Sequence, residues 1–245
     1  MKLGIVIPTK NEQDNIQSLS KSIHKNLKFN KYLICFVDKS DDDRTIKMIN
    51  KYFNKKNFNI IKEKKQKTQL TTRCAASNIG FKWFIKKTDV DVLIDLDADL
   101  AQDPKEIRQA IKYLSDYDVV IASKYLKKSV VLGRSRLRRL ISYSCTLVSR
   151  IIISNEITDF SNSYRFYKRK CIEKILNKKI IYQSPIQHLE NLIILIENNF
   201  KIKELPTKYI ERERGQSSIK VVGLFFYMLD FFHCLIRYAC KKIFK

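Results

Sequence analysis

Residues 90–100 read Val-Asp-Val-Leu-Ile-Asp-Leu-Asp-Ala-Asp-Leu, an apolar run that passes into three aspartates at alternate positions. Its first part, residues 90–96, has the length and the Val, Ile and Leu content of a buried strand. An extended backbone would turn the carboxylates of Asp95, Asp97 and Asp99 to one side. Three buried, unpaired carboxylates are costly, so we expect a cation or strong hydrogen bonds beside them.

Strands and helices alternate on either side of this run. Strands are predicted at 3–7, 32–37, 58–61 and 119–122, and helices at 15–27, 45–53, 71–85 and 104–114. Such alternation is typical of a Rossmann-like α/β fold, in which a mostly parallel sheet carries helices on both faces. Ligands of such sheets bind at the carboxyl ends of the strands. Polar clusters stand at three of these predicted ends, at 8–12, 38–45 and 95–100.

The balance of charge limits the partners of the chain. The sequence has 245 residues, with 48 Lys and Arg against 25 Asp and Glu, for a formal net charge of +23. The positive electrostatic potential of such a chain favours partners that carry phosphate: a nucleotide, an anionic membrane or nucleic acid. No helix-turn-helix, zinc-finger or RNA-binding signature is present, so no nucleic acid is expected. The 6 cysteines show no Cys-x-x-Cys pair, which favours a reducing cytosol.

The aspartate cluster predicts a metal site. Two carboxylates separated by one residue commonly hold Mg²⁺ or Mn²⁺, whose other ligands are water and substrate phosphates. Asp97 and Asp99 are therefore the predicted metal ligands, and the cation would act as a Lewis acid on a departing diphosphate. An isolated Asp-x-Asp is weak evidence, but its place at the end of an apolar strand strengthens it.

Short motifs follow one another along most of the chain. They are Ile7-Pro8-Thr9-x-Asn11-Glu12, Val37-Asp38, Ala76-x-Asn78-x-Gly80, Asp97-Ala98-Asp99-Leu100, Ser123-Lys124-Tyr125, Arg138-Arg139-Leu140-Ile141-Ser142, Asp159-x-Ser161-x-Ser163-Tyr164-Arg165 and Arg212-x-x-Gly215-x-Ser217. In order and spacing this series resembles family-2 glycosyltransferases with the GT-A fold, especially the dolichol-phosphate mannosyltransferases and other polyprenyl-phosphate glycosyltransferases. The resemblance implies sugar transfer from a nucleotide-sugar donor, of the GDP-mannose or UDP-hexose type, to a dolichyl or undecaprenyl phosphate at the cytoplasmic membrane face.

The resemblance also implies roles for individual residues. The nucleotide-sugar donor would be held by Pro8, Glu12, Val37, Asp38, Asp97, Ala98 and Lys124. The acceptor phosphate would be bound by Arg138 and Ser142, and Arg212 would close over the donor. The catalytic residues would then be Asp99, Arg138 and Arg212, with Mg²⁺ or Mn²⁺ as cofactor on Asp97 and Asp99.

Several positions depart from the family pattern. The pattern has Tyr, Asp, a polar residue, Arg and Lys where this chain has Lys10, Lys39, Ala101, Lys124 and Ser218. These departures bear on the identity of the donor and on activity. They keep two alternatives open: sugar transfer to a glycan or another soluble acceptor, and a phosphate-binding scaffold of the same fold with little catalysis.

Residues 221–238 are dense in Leu, Phe, Val and Ile, yet Asp230, His233 and Arg237 interrupt them. A central Asp costs about 2.5–3.5 kcal/mol on membrane-insertion scales, which disfavours a membrane-crossing helix. The polar residues fall on one stripe of a helix. The pattern therefore predicts an amphipathic helix lying in the membrane interface. A core or subunit-contact helix is the alternative.

These expectations define the organisation of the chain. Residues 1–216 are predicted to form a single GT-A domain, and 217–245 the C-terminal membrane-interface helix. The predicted partners are the nucleotide sugar, the lipid-linked phosphate and a membrane surface. A separate small membrane subunit is a further candidate partner.

Overall fold

The computed structural model describes residues 1–28, 30–63, 72–182, 184–211 and 221–243. The strands are β1 (Lys2–Thr9), β2 (Lys31–Asp38), β3 (Phe58–Lys62), β4 (Val92–Asp95), β5 (Val119–Ser123), β6 (Val130–Leu132), β7 (Arg165–Lys168), β8 (Ile202–Pro206) and β9 (Lys208–Ile210). The α-helices are α1 (Ile16–Leu27), α2 (Arg44–Tyr52), α3 (Arg73–Lys87), α4 (Glu106–Tyr113), α5 (Arg136–Ile152), α6 (Arg169–Leu176), α7 (Gln187–Glu197) and α8 (Val221–Ile243).

Seven of these strands form one sheet in the order β3-β2-β1-β4-β7-β5-β8. All neighbours pair in parallel except β7, which lies antiparallel between β4 and β5. The short strands β6 and β9 form a separate parallel pair. The prediction of an α/β fold with a mostly parallel central sheet is confirmed.

Alternate residues of the central strands face two different apolar cores. Val6 and Cys35 lie in one core, which includes residues of α3, α6, α7 and α8. Ile5, Ile7 and Phe36 lie in the other, with residues of α1, α2 and α4. Because side chains alternate along a strand, a sheet covered on both faces needs apolar residues at nearly every position. This explains the continuous Val and Ile runs that marked the strands in the sequence.

A glycine lets α3 lie close against the sheet. A Cβ atom at Gly80 would be 2.5 Å from Cγ1 of Val6 on β1 and 3.3 Å from Cγ2 of Val37 on β2. The helix starts after Thr72, whose hydroxyl accepts a hydrogen bond from the backbone N–H of Ala75 at 3.4 Å. This packing brings the first residue of α3 to the carboxyl ends of the strands.

Most predicted elements begin or end one or two residues from the observed bounds, and two of these differences have a clear cause. The strand expected at 90–96 occupies only Val92–Asp95, because the chain turns soon after Asp95. The helix expected from Pro104 begins at Glu106, because Pro104 and Lys105 form a turn. The first predicted residue of α3, Thr71, lies outside the described residues.

The C-terminal helix α8 is anchored to the body of the protein. Phe231, Cys234 and Leu235 are at most 4% exposed and belong to the core on the α3 side of the sheet. Its neighbour is α5, where Cys145 Sγ lies 3.8 Å from Met228 Sδ. Among the residues that the structure describes, no helix combines the length and hydropathy that a membrane crossing requires.

Candidate active site

The loops that follow β1 and β2 are bound to each other. The Thr9 hydroxyl donates to the Asp38 carboxylate at 2.7 Å. The backbone N–H of Asn11 donates to the Ser40 hydroxyl at 2.8 Å, and its side-chain amide donates to Asp41 at 2.8 Å. Asn11 has a φ of 56°, a left-handed conformation that asparagine tolerates better than most residues. These contacts join two of the predicted polar clusters at one edge of the sheet.

The predicted donor-binding residues lie along this edge with different exposure. Pro8 and Glu12 are partly exposed, whereas Val37, Asp38 and Ala98 are buried. The Asp38 carboxylate also accepts hydrogen bonds from the hydroxyl and the backbone N–H of Ser40, at 2.7 and 3.3 Å. In this structure Asp38 therefore organises the loop after β2.

The carboxylates at the end of β4 share a guanidinium that comes from the first residue of α3. Arg73 donates through Nη1 and Nη2 to the two oxygens of Asp95, at 3.1 and 2.9 Å, and through Nε to Asp97. The Ser77 hydroxyl adds a bond of 3.0 Å to Asp95. Burial alone would lower the pKa of Arg73, but the charges of Asp95 and Asp97 raise it above its usual value. Arg73 thus supplies the cation that the sequence required.

A buried glutamine fixes the other side of Asp97. Gln102 Oε1 accepts from the backbone N–H of Asp97 at 3.0 Å, and its Nε2 donates to Asp97 Oδ2 at 2.7 Å. The same Nε2 donates to the Ser163 hydroxyl at 2.9 Å. Asp99 lies in the turn beyond, where its carboxylate accepts from the backbone N–H of Ala101 at 3.1 Å. Asp97 is therefore held from two sides.

The expectation that an extended strand carries all three aspartates is wrong beyond Asp95. The strand ends there, and Asp99 belongs to a turn that continues to Leu100, whose φ is 62°. Asp97 and Asp99 nevertheless share a neighbour. Burial, followed by the charges of Asp97 and Asp99, raises the pKa of Tyr209 to about 12.

The donor set suits a divalent cation that takes part of its ligands from a substrate. Within the described ranges, no group of three or more His, Cys, Asp or Glu side chains could hold a metal ion. Carboxylate oxygens are ligands that Mg²⁺ and Mn²⁺ prefer, and Mg²⁺ sites often use one or two carboxylates with phosphates and water. Both oxygens of Asp97 already accept hydrogen bonds. The half-buried Asp99 is accordingly the better placed of the two predicted ligands.

A second polar cluster joins the end of β5 to α5. Lys124 Nζ lies 3.5 Å from the Asp159 carboxylate and 3.4 Å from the Ser161 hydroxyl. The Tyr125 hydroxyl lies 2.6 Å from Ser142 Oγ, which is 3.5 Å from Ser161 Oγ. Burial lowers the pKa of Lys124, and the Asp159 charge offsets part of this effect. Lys124 and Ser142, predicted to bind donor and acceptor, therefore lie in one cluster.

The two predicted acceptor residues stand one turn apart on α5. The Ser135 hydroxyl caps this helix by accepting from the backbone N–H of Arg138 at 3.4 Å. The Arg138 guanidinium lies 2.8 Å from the Glu211 carboxylate. Residues four apart on a helix share a face, so Arg138 and Ser142 present their side chains together. Arg212 and Ser218 lie outside the described residues.

Comparisons with known proteins identify the family of the chain. The family model "Glycosyl transferase family 2" matches residues 4–176. The chain is 29% identical over 233 residues to the dolichol-phosphate mannosyltransferase of Pyrococcus furiosus, covering 93% of this chain and 62% of that protein. It is 25% identical over 218 residues to the polyprenol monophosphomannose synthase of Mycolicibacterium smegmatis, covering 88% and 80%. The chain thus spans less than two thirds of the first of these relatives.

A solved structure shares the fold at low sequence identity. It is the glucosyl-3-phosphoglycerate synthase of Mycobacterium tuberculosis in complex with Mn²⁺, UDP and glucosyl-3-phosphoglycerate. The TM-score is 0.67 at 13% identity, over 97% of this chain and 80% of that one. The predicted GT-A fold is confirmed. Because the family model covers well over half of the sequence, the chain belongs to glycosyl transferase family 2.

Proposed function

We propose that the protein transfers a hexose from a nucleotide-sugar donor to a polyprenyl phosphate at a membrane surface. The observation that carries this proposal is the position of Arg138 and Ser142. They lie in the first two turns of α5, where Ser142 shares its neighbour Ser161 with Lys124, and the same helix exposes an apolar face. A phosphate site on an apolar helix suits an acceptor that joins a phosphate to a hydrocarbon chain.

Helices α5 and α8 contact each other, and both expose apolar side chains. We call this the two-helix apolar surface, and its exposed side chains are Leu137, Leu140, Tyr143, Leu147 and Ile151 on α5 and Phe225, Phe226, Leu229, Phe232, Ile236 and Ile243 on α8. Exposed apolar patches of this kind mark interaction sites. Exposed basic residues such as Lys127, Arg136 and Arg139 lie on α5 or close to it in sequence, where they suit anionic headgroups.

Two polar residues of α8 contact the body of the protein. Lys241 Nζ lies 2.6 Å from the Glu197 carboxylate on α7. His233 Nδ1 lies 3.1 Å from the Tyr182 hydroxyl. Phe225, Phe226, Leu229 and Phe232 remain exposed on the helix, whereas Phe231 and Leu235 are buried. These features support the proposal that 217–245 serves as the membrane-interface part of a chain whose 1–216 form the catalytic domain, at the cytoplasmic face.

The chemistry requires two anions to meet. A phosphate-monoester acceptor is largely ionised near pH 7, so it needs little help from a general base. When bound at Asp99, Mg²⁺ or Mn²⁺ supplies a Lewis acid beside the departing diphosphate. Arg138 is proposed to place positive charge at the acceptor phosphate, and Lys124 and Arg212 to place it at the donor. Preorganised charge of this kind lowers the barrier more than a base does.

The relatives support the choice of substrate class. Their names specify mannosyl transfer and lipid phosphates, which is consistent with a GDP-mannose type of donor. The structural neighbour was crystallised with UDP, so a UDP-hexose is the second donor to test. Transfer to a soluble acceptor is the competing function, and the two-helix apolar surface argues against it.

Transfer assays with matched arginine variants test this proposal. The purified protein is incubated with Mg²⁺ or Mn²⁺, radiolabelled GDP-mannose or UDP-glucose, and polyprenyl phosphate. Label should enter the organic phase. Arg138→Ala should raise the KM for the acceptor about tenfold or more, whereas Arg139→Ala, whose guanidinium contacts the Val131 carbonyl, should change it less than about threefold. Label found only on soluble acceptors would overturn the proposal.

A further inference from the structure

The ion pair between Arg73 and Asp95 is built into the fold. Asp95 lies at the end of a central strand with its side chain 3% exposed, and both of its oxygens accept from Arg73. Withdrawing the guanidinium would leave a buried, uncompensated carboxylate, which costs about 3–5 kcal/mol. Arg73 is therefore fixed on Asp95, and its Nε remains directed at Asp97.

Both oxygens of Asp97 consequently accept hydrogen bonds from its own chain. One oxygen accepts from Arg73 and the other from Gln102. Gln102 is 1% exposed, and its amide oxygen is engaged by the backbone N–H of Asp97. Rotating that amide would set oxygen against oxygen and leave the N–H unsatisfied, at a cost of about 1–3 kcal/mol. The charge of Asp97 is balanced by a guanidinium that is held on the buried Asp95.

We infer that Arg73 is a positioning residue that keeps Asp97 out of direct metal coordination, so that a divalent cation binds tightly only together with a nucleoside diphosphate. The inference rests on the proposed function, because it concerns the same cation. Without nucleotide, the cation would have Asp99 as its protein ligand and would be repelled by the nearby guanidinium of Arg73. With nucleotide, the diphosphate would supply hard oxygen ligands in place of Asp97.

Removing the buried pair as a unit tests this role. A buried ion pair replaced by apolar residues of similar size is often tolerated, so Arg73→Leu with Asp95→Leu leaves no lone buried charge. The Asp97 oxygen that accepted from Arg73 is then available, and the negative charge of Asp97 is no longer compensated. Titration of Mn²⁺, followed by the electron paramagnetic resonance signal of the free ion, measures affinity without any turnover. Circular dichroism checks that the variant is folded.

The wild-type protein should bind Mn²⁺ at least about tenfold more weakly alone than with UDP or GDP. The double variant should bind Mn²⁺ alone about tenfold more tightly than wild type, and adding Asp97→Asn should remove that gain. Lys2→Met with Asp89→Asn, which removes an exposed ion pair at the other end of the sheet, should change nothing. Equal wild-type affinity with and without nucleotide, or no gain in the double variant, would overturn the inference. No wild-type binding with either nucleotide would overturn the metal in the proposed function, and this inference with it.

Discussion

The guanidinium of Arg138 lies 2.8 Å from the carboxylate of Glu211, so the cation proposed for the acceptor phosphate is paired with an anion of its own chain. The two side chains are 36% and 24% exposed. Glu211 directly follows β9 and precedes Arg212 in the sequence. An incoming phosphate would therefore compete with Glu211 for Arg138.

Glu211→Gln should lower the KM for the polyprenyl phosphate by up to about fivefold. The expected change in KM follows from the free energy that a half-exposed ion pair contributes, about 0.2–1 kcal/mol. The KM for the nucleotide sugar should stay within twofold of wild type, on the order of the error of such assays. Glu173→Gln, which breaks the similar pair with Arg169 on α6, is the control. A higher acceptor KM would show that Glu211 orients Arg138 instead of competing for it.

Gly80→Ala should destabilise the fold although alanine is the better helix former. The gain in helix propensity is about 1 kcal/mol, whereas a Cβ at 2.5 Å from Val6 overpacks the core at a cost of about 1–3 kcal/mol. Gly223→Ala on α8 meets only ordinary contacts, at 3.9 Å from Tyr227, and should be neutral or stabilising. Urea unfolding of both variants measures the difference. A higher unfolding midpoint for Gly80→Ala would contradict this packing.

Glu106 should make stability fall as the pH rises. Burial raises its pKa from 4.5 to about 7, although Lys208 N–H and the Thr207 hydroxyl donate to it. The folded state then binds a proton that the unfolded state releases, so this contribution is complete below pH 4.5 and is lost as the pH passes 7. It amounts to at most about 3 kcal/mol. The free energy of unfolding should fall more steeply over this range in wild type than in Glu106→Gln, and equal slopes would refute the assignment.

The two-helix apolar surface should govern membrane binding. Leu140→Ser with Phe226→Ser exchanges one exposed apolar side chain on each helix, at 63% and 58% exposure. Burying each such side chain contributes about 1.5–3 kcal/mol, so binding to anionic phospholipid vesicles should weaken at least about tenfold. Phe226→Leu alone keeps the surface apolar and should bind as wild type does. Unchanged sedimentation with vesicles, accompanied by loss of a dimer, would favour the subunit-contact alternative.

Point substitutions suit this test better than removal of α8. Phe231, Cys234 and Leu235 are buried in the main core, so deleting residues from Val221 onward would expose that core. Loss of membrane binding on truncation would then report loss of folding. The sequence pattern identified the polar stripe of α8 but not its direction. The structure shows Lys241 directed to Glu197 on the protein body.

The early strands could be predicted because both faces of the sheet are covered. Continuous apolar runs at β1, β2 and β5 follow directly from that burial. The strand β7 reads Arg-Phe-Tyr-Lys, four residues with a charge at each end, and has no such run. Its place between β4 and β5 depends on pairing with distant strands, which local pattern does not reveal.

The sequence predicted the carboxylates of the site, but it did not predict Arg73 and Gln102, which bind them. The closeness of Asp95 and Asp97 in the sequence indicated that a cation was needed. The sequence alone did not identify Arg73 as that cation, because an arginine at the start of a helix is common on protein surfaces. The packing of α3 on the sheet, close at Gly80, places Arg73 beside both carboxylates, and the local sequence does not reveal this packing. Gln102 was missed because it lies one position beyond Ala101, where the family pattern has its polar residue.

The most direct test of the account compares two neighbouring carboxylates in lipid-linked sugar formation. Asp99 and Asp103 both lie in the segment after β4, and both are partly exposed. With polyprenyl phosphate, Mn²⁺ and a labelled nucleotide sugar, wild type and Asp103→Asn should form lipid-linked product at similar rates. Asp99→Asn should be slower by about a hundredfold or more, as should wild type in EDTA. A fully active Asp99→Asn protein, or one that works unchanged in EDTA, would contradict the account.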